Sequence, residues 1–360
     1  MQDNITGKTI LLLCEDFFGF DKELKNNLIK LGAKEVVLKN PLPIKTSFRN
    51  HMSLTKPIRH LLNPNEGVHK TKQLISEIDG YNFDVFLSVE TLHFNKFFFD
   101  YLRSKNPNIK MFFFFWDTIV THFPRYFDYF PKFDKVYTFD RDDAKRYGLE
   151  YYPDFYIEKA DKQDTIIYDV SFVGKMINTN ISRGRMIEYI NNFCKEHGLK
   201  SYLYLKHTDY VRRDRPPRLI QMYRKFKFRK YIKEVNRMTK LNLIHPEGIP
   251  LEKFDQVFNQ SRAIVDLAYT NRQGMTINCI TALAKGKKLI TANKRIVDEP
   301  FYDPANIFVI DEDNPQLDLD FFKTPTRPVD MSYLRMDNWL RHIINQESVE
   351  ELMNVKGGVN

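Results

Sequence analysis

Cysteine is scarce in this chain. There are three in 360 residues, Cys14, Cys194 and Cys279, far apart and odd in number. That argues against a disulfide framework or a cysteine-built zinc site and makes a reducing compartment the expectation. Long apolar runs are missing too: the richest, Met111 to Trp116, falls far short of the ~20 residues a spanning helix needs. The opening MQDNITGKTILLLCEDFFGF lacks the basic start and long apolar stretch of a signal peptide, so it reads as a first strand. The nine histidines show no His-x-x-x-His spacing, so no metal and no cofactor is expected. No repeat of 20–50 residues is present, which excludes a solenoid. These absences leave a cytoplasmic protein that at most sits on the inner membrane face.

What the chain does have is apolar mass, with 42% hydrophobic residues and 30 Phe, enough for two cores at this length. Its first half alternates β-rich runs with helical patterns. Strands are expected at Thr9–Cys14, Glu35–Leu38, Asp84–Val89, Lys110–Phe115 and Lys135–Phe139, with helices at Asp21–Leu31 and Arg141–Tyr147. Asp140 and Gly148 are the cap and stop of the last of these. Residues 40–66, with four prolines, read as an irregular insertion. The alternation restarts after residues 151–165, the expected linker. Strands then follow at Asp169–Val173, Tyr202–Leu205, Leu241–Ile244, Ala263–Leu267, Lys288–Thr291 and Ile307–Ile310, with helices between them. Such alternation predicts α/β domains with parallel sheets: a first Rossmann-like domain over 1–150 and a second over 166–330. A helical pattern over 331–360 is expected to cross back to the first.

Ligands of open parallel sheets bind outside the carboxyl ends of the strands. In the first domain those positions hold Glu15, Asp16, Glu90, His93, Asp117 and His122. A general base is a carboxylate or imidazole at such a rim, and Asp117 and Glu90 are the candidates. Any one of the six also fits a solvated loop residue or a cap. In the second domain a strand runs into Gly174-Lys175, and Arg183 and Arg185 open the next helix. A glycine, a helix N-terminus and a guanidinium together suit a diphosphate. Further on, Gln273-Gly274-Met275-Thr276 opens a helix that carries Asn278 and Thr281 and stops at Gly286. Its first-turn amides and polar side chains can reach a nucleotide's phosphates or ribose. An ordinary helix-to-strand connection would look the same.

Three of these stretches carry a resemblance. Asp169-Val-Ser-Phe-Val-Gly174 with Arg183 is one. The second is Leu243-Ile-His-Pro-Glu-Gly248-Ile-Pro-Leu-Glu-Lys-Phe254, followed by Ser261-Arg-Ala-Ile-Val-Asp266. The third runs from Gln273-Gly-Met-Thr through Ala282-Leu-Ala-Lys-Gly-Lys-Lys-Leu-Ile-Thr291. Together they resemble the second domain of bacterial GT-B glycosyltransferases, especially CgeB-like and capsule or lipopolysaccharide-assembly branches. Phe114-Phe-Trp-Asp117 and Phe133-Asp-Lys-Val-Tyr-Thr-Phe-Asp140 give a weaker match in the first domain. The resemblance implies two Rossmann-like domains facing across a cleft and metal-independent transfer of a sugar from a nucleotide-activated donor. It also implies that Gly174, Lys175, Arg183, Gly248, Gln273, Gly274, Met275, Thr276, Asn278 and Thr281 hold that donor. The acid such enzymes usually carry before the Ala-Leu pair is Thr281 here, and a second acid of some relatives is Gln273. A non-catalytic scaffold in glycan assembly is therefore a second reading.

Charge is concentrated in one place. Lys206–Lys240 holds thirteen Lys/Arg against three Asp/Glu, so the net +9 of the chain resides there. Apolar residues from Leu219 to Met238 recur at helical spacing between the cations. This fits either a long helix packed on the second sheet or an attachment of Arg224, Lys225, Lys227, Arg229 and Lys230 to an anionic inner leaflet bearing a lipid-linked acceptor. Tyr223, Phe226 and Phe228 interleave the cations, which keeps a nucleic-acid reading open, although no nucleic acid is the expected partner. The expected partners are a nucleotide sugar and a glycan or lipid-linked acceptor.

Overall fold

Long apolar strand runs flanked by amphipathic helices have one stable solution, a parallel sheet covered on both faces, and this chain builds it twice. The computed structural model describes residues 3–40, 66–119, 124–158, 165–178, 180–211, 217–267 and 274–354. The chain divides into two units, Met1–Phe155 with Ser332–Asn360, and Tyr156–Met331.

In unit 1 the strands are β1 (Thr9–Cys14), β2 (Glu35–Lys39), β3 (Val85–Val89), β4 (Lys110–Phe115), β5 (Lys135–Thr138) and β6 (Glu150–Tyr151). They pair in parallel in the order β2-β1-β3-β4-β5-β6. The helices are α1 (Phe20–Lys30), α2 (Glu66–Ile78), α3 (Phe97–Lys105) and α4 (Arg141–Tyr147), joined from the far end of the chain by α11 (Met336–Asn345) and α12 (Val349–Asn354). β1 and β4 are central strands and read as continuous apolar runs: Ile10 to Cys14 and Met111 to Phe115 are all fully buried. The core is built largely of phenylalanine, with Phe86, Phe98, Phe113 and Phe133 within ring-contact distance of one another in pairs. α4 is capped as its sequence requires: the Asp140 carboxylate accepts from the amides of Asp142 and Asp143, and Gly148 closes the helix at φ 65°. α11 buries Trp339 against Phe114, ring centroids 4.7 Å apart, and the indole N–H donates to the Pro153 carbonyl at 3.0 Å. The chain start is tied to the same helix: the Asn4 side chain donates to the Ile344 carbonyl, and its amide to Asn345.

Unit 2 contains β7 (Tyr168–Met176), β8 (Ser201–His207), β9 (Ile244–His245), β10 (Ser261–Asp266), β11 (Lys288–Thr291) and β12 (Ile307–Val309), in parallel in the order β12-β11-β10-β7-β8-β9. Its helices are α5 (Ser182–Glu196), α6 (Arg218–Lys227), α7 (Arg229–Lys240), α8 (Leu251–Asn259), α9 (Ile277–Ala284) and α10 (Leu319–Lys323). α5 and α7 meet closely at Gly184, where a Cβ would come within 2.8 Å of Glu234 Oε1 and 3.0 Å of Met176 Sδ. Arg237 binds Glu234 and Glu188 at the same junction.

Several elements differ from the sequence expectation. Within the basic segment, Arg218–Lys240 is two helices broken at Phe228, whose ring goes inward onto Tyr210 at 4.8 Å. The expected strand Leu241–Ile244 is Ile244–His245 instead, because Asn242 turns the chain at φ 56°. The final helical pattern breaks at Gln346, φ 61°. α2 and α3 are helices that the sequence pattern did not single out. The expected insertion lies almost wholly outside the described residues.

Candidate functional site

A parallel sheet forms a crevice where the strand order reverses, because the two connections leave toward opposite faces. In unit 1 the reversal lies between β1 and β3, and in unit 2 between β7 and β10. The residues leaving these four strands define two candidate sites, one in each unit.

At the unit 1 crevice, β1 delivers Glu15 and Asp16 and β3 delivers Glu90. The Glu15 carboxylate meets His93 Nε2 at 2.9 Å and so bridges the reversal. Glu90 is half-buried in a left-handed conformation, φ 57°, which a side chain adopts only where its surroundings enforce it. Its Oε2 accepts from the amides of Trp116 at 2.9 Å and Asp117 at 3.2 Å, just past β4. Burial first, and then the neighbouring Asp117 charge, raise the Glu90 carboxyl well above the usual carboxylate range. A carboxyl moved up in this way is better matched to carrying a proton near neutral pH. Asp117 turns its Oδ1 onto the Thr118 amide at 2.7 Å.

The same rim carries rings. Phe17 and Phe18 leave β1 largely exposed, their centroids 4.6 Å apart, and Phe17 lies 5.9 Å from Trp116. Phe18 is held at φ 52°, also left-handed. Exposed rings beside carboxylates and an imidazole have the chemistry of a sugar subsite: rings offer flat apolar faces, and the polar groups bond hydroxyls.

At the unit 2 crevice the chemistry changes sign. The buried Arg183 guanidinium spans the reversal, donating to the carbonyl of Lys175 near the end of β7 at 2.6 Å and to the carbonyl of Leu267 just past β10. Gly174 leaves room for a neighbour in its own strand: a Cβ there would come within 2.5 Å of the Phe172 ring. Strand register aligns Lys175 with Lys206 and Lys206 with His245. In parallel pairing such partners share a face, so three nitrogen side chains form a row across β7, β8 and β9. The Tyr204 ring stacks on His245 at 4.2 Å, and its hydroxyl donates to the Glu247 carbonyl at 3.0 Å. A Cβ on Gly248 would touch only the Lys206 side chain, at 3.5 Å.

Across the reversal, α9 points its N-terminus at the end of β10. Thr276 caps it, accepting from the Cys279 amide, while its hydroxyl donates to Asp266 Oδ2 at 3.1 Å. Cys279 donates its thiol to the same oxygen at 2.8 Å, and burial together with that carboxylate pushes the thiol pKa far up. The amides of Ile277 and Asn278 precede the helical ladder and make a site for negative charge. Asn278 shares a small cavity with Asp266, Ser171 and Val173.

The structure thus brings Glu90 and Asp117 together in unit 1, and gathers Gly174, Lys175 and Arg183 at one reversal in unit 2, with Thr276 and Asn278 facing the end of β10. Gly274 and Met275 are buried just before α9. Thr281 lies farther along α9, its hydroxyl turned onto the Ile277 carbonyl at 2.7 Å. Gln273 and His122 lie outside the described residues. Sequence reading missed the Glu15–His93 pair, the Phe17–Phe18–Trp116 rings, Asp266 as the anchor of α9, and Lys206 and His245. Arg224, Lys225, Lys227, Arg229 and Lys230 lie on α6 and the start of α7. Among the described residues, no three His, Cys, Asp or Glu side chains cluster as a metal site would, and no helix is long and apolar enough to cross a membrane.

No protein-family model matches this chain, and no curated protein sequence is significantly similar to it. Solved structures are similar in fold. A UDP-forming alpha,alpha-trehalose-phosphate synthase from Burkholderia xenovorans shares 12% identity at a TM-score of 0.51, over 97% of this chain and 93% of its own. A trehalose-6-phosphate protein from E. coli bound with UDP-2-fluoro glucose shares 11% at the same TM-score, over 96% and 93%. A UDP-GlcNAc 2-epimerase from Methanocaldococcus jannaschii shares 11% at a TM-score of 0.48, over 94% and 99%. Two Rossmann-like units with six parallel strands each, together with the two likenesses above 0.5, give this chain the two-domain GT-B fold.

Proposed function

We infer that this protein is a glycosyltransferase that moves a sugar from a nucleotide-activated donor to a surface-glycan acceptor. The observation that carries the reading is the opposite chemistry of its two strand-reversal crevices: carboxylates, imidazole and rings in unit 1, cations and helix amides in unit 2. The nucleoside diphosphate of the donor suits the unit 2 crevice, where the Lys175–Lys206–His245 row and the first-turn amides of α9 supply positive charge and donors. The acceptor sugar suits the unit 1 crevice, its ring against Phe17 and Phe18 and its hydroxyls toward Glu15, His93 and Asp117.

In the transfer, the Glu90 carboxylate takes the proton of the acceptor hydroxyl, with Asp117 beside it as the other candidate base. The hydroxyl oxygen bonds to the anomeric carbon, and the bond from that carbon to the diphosphate breaks. The diphosphate leaves with the electron pair onto the cationic row and the helix amides. The clamp of Arg183 on two strand-end carbonyls makes it a positioning residue that holds the crevice open to the donor.

The test is a panel of nucleotide sugars in titration calorimetry and thermal shift. UDP-sugars come first, because the E. coli neighbour is bound with a UDP-sugar analogue. Binding of at least one nucleotide sugar, with release of its diphosphate when a glycan acceptor is added, is the expected result. Binding of none sinks the reading. Thr281 stands where the resemblance implies an acid and bonds its own helix instead, which supports the second reading, a scaffold that holds a nucleotide without turnover. Donor binding without transfer to any acceptor in a surface-glycan panel would select it.

A further inference from the structure

A helix that folds onto a domain hides its apolar stripe; α6 does the reverse. It buries none of its residues. Leu219, Met222, Tyr223 and Phe226 are 80%, 66%, 58% and 68% exposed. Their spacing of three, four and seven residues puts them on one stripe, about 100° of the helix circumference. Cations flank it: Arg224 and Lys227 on one side, Arg218 and Lys225 on the other, with Arg229 and Lys230 following at the start of α7. No acid occurs from Arg218 to Lys230. The positive charge is held against the rings, with the Arg229 guanidinium 4.6 Å from the Phe226 centroid and Lys227 Nζ 6.0 Å from that of Tyr223.

α6 is presented rather than merely unfinished. The next helix, α7, is fixed by Tyr231, Glu234 and Met238, all buried. The Tyr231 hydroxyl donates to the Met176 carbonyl at 3.0 Å and accepts from the Thr208 amide at 2.9 Å. Phe228 goes inward at the break, so the two helices part with one packed and the other outward. A four-residue apolar stripe edged by cations matches an anionic bilayer: apolar side chains enter the boundary between headgroups and acyl chains, and the charges meet lipid phosphates. Single-stranded nucleic acid fits less well, because Leu219 and Met222 offer no ring for a base to stack on.

We propose that α6 docks this protein on an anionic lipid bilayer, with Leu219, Met222, Tyr223 and Phe226 inserted and the cations of α6 and α7 on the headgroups. The proposal stands independently of the transferase reading. Co-sedimentation with vesicles of equimolar phosphatidylcholine and phosphatidylglycerol tests it, alongside pure phosphatidylcholine vesicles. The full-length protein is expected to partition onto the anionic vesicles and to lose at least about tenfold in partitioning on neutral ones or in about 0.5 M salt. Leu219→Glu with Phe226→Glu, and separately Lys225→Glu with Arg229→Glu, should each lower partitioning by about tenfold or more, since each removes one of the two attractions. All these side chains are exposed, so thermal melting of both variants should match the parent. A Tyr223→Trp variant should be quenched by brominated lipid beyond the parent protein. Partitioning unchanged in both double variants overturns the proposal. So does charge-dependent partitioning without quenching, which would place the helix on the headgroups only. Salt-dependent RNA binding without vesicle binding also overturns it and returns α6 to nucleic acid.

Discussion

The two units share a scaffold and differ in sign. Each is a parallel sheet of six strands whose order reverses beside its first strand, β1 or β7. At the unit 1 reversal the chain places Glu15, Asp16 and Glu90 with His93 and exposed phenylalanines. At the unit 2 reversal it places Lys175 and the first-turn amides of a helix, with Lys206 and His245 continuing the row on β8 and β9. The fold fixes where a ligand can sit, and the few residues leaving each strand decide whether that place attracts a hydroxyl or a phosphate.

Exchanging or removing those few residues is the direct way to break the contrast. The largest expected effect is Glu90→Gln. Loss of the base should lower turnover by about a hundredfold to ten-thousandfold, with donor affinity in calorimetry unchanged. Because the Glu90 carboxyl is raised and must be ionised to accept a proton, turnover should climb with pH along a limb lying above the ordinary glutamate value of 4.5. If Glu90→Gln keeps full turnover while Asp117→Asn loses it, the base is Asp117. Next come Lys206→Ala and Lys175→Ala, each expected to weaken donor binding by about tenfold, equivalent to ~1.4 kcal/mol. Unchanged affinity in both would remove the cationic row from the site.

Two smaller effects sharpen the comparison. Arg183→Ala should cost about 1.5–3 kcal/mol of stability in denaturant unfolding, because a buried charged donor leaves two strand-end carbonyls unpaired. Phe18→Gly should raise the acceptor KM severalfold without loss of stability, since glycine tolerates the left-handed backbone at that position. A large destabilisation there would mean that the ring belongs to the core. The smallest effect tests stability alone. His342 is half-buried, stacks on the Tyr152 ring at 3.7 Å, and has its pKa pulled below 6.5 chiefly by desolvation. The unfolded chain then binds the proton more readily, so this contribution to stability is full above pH 6.5 and is lost as pH falls from there through the lower value of the folded state. His342→Gln should flatten that slope in pH-dependent melting.

Much of the fold was legible because central parallel strands are written as unbroken apolar runs, as in Ile10–Cys14 and Met111–Phe115. The caps of α4 were legible because Asp140 and Gly148 act locally. The register of one strand on another was not. Lys206 and His245 are ordinary polar residues until pairing sets them beside Lys175, and Glu15 meets His93 from 78 positions away. α3 was hidden because its run Phe97–Phe99 gives no helical period. The break at Phe228 needed Tyr210, eighteen residues earlier, to draw the ring inward. Asp117 and Glu90 were reachable by rule, as residues after strands, but the bond from Glu90 to the amides beyond β4 was not.

That unit 1 is built from two separate stretches of the chain has a consequence for how the protein is made. Unit 2 is continuous, whereas the Phe114 face of unit 1 is covered by Trp339, and Asn4 finds its partners at Ile344 and Asn345. A ribosome working from the N-terminus therefore finishes unit 2 first and leaves unit 1 with an open apolar face until α11 emerges. During that interval the open face of unit 1 is exposed to aggregation, and α11 acts as its latch.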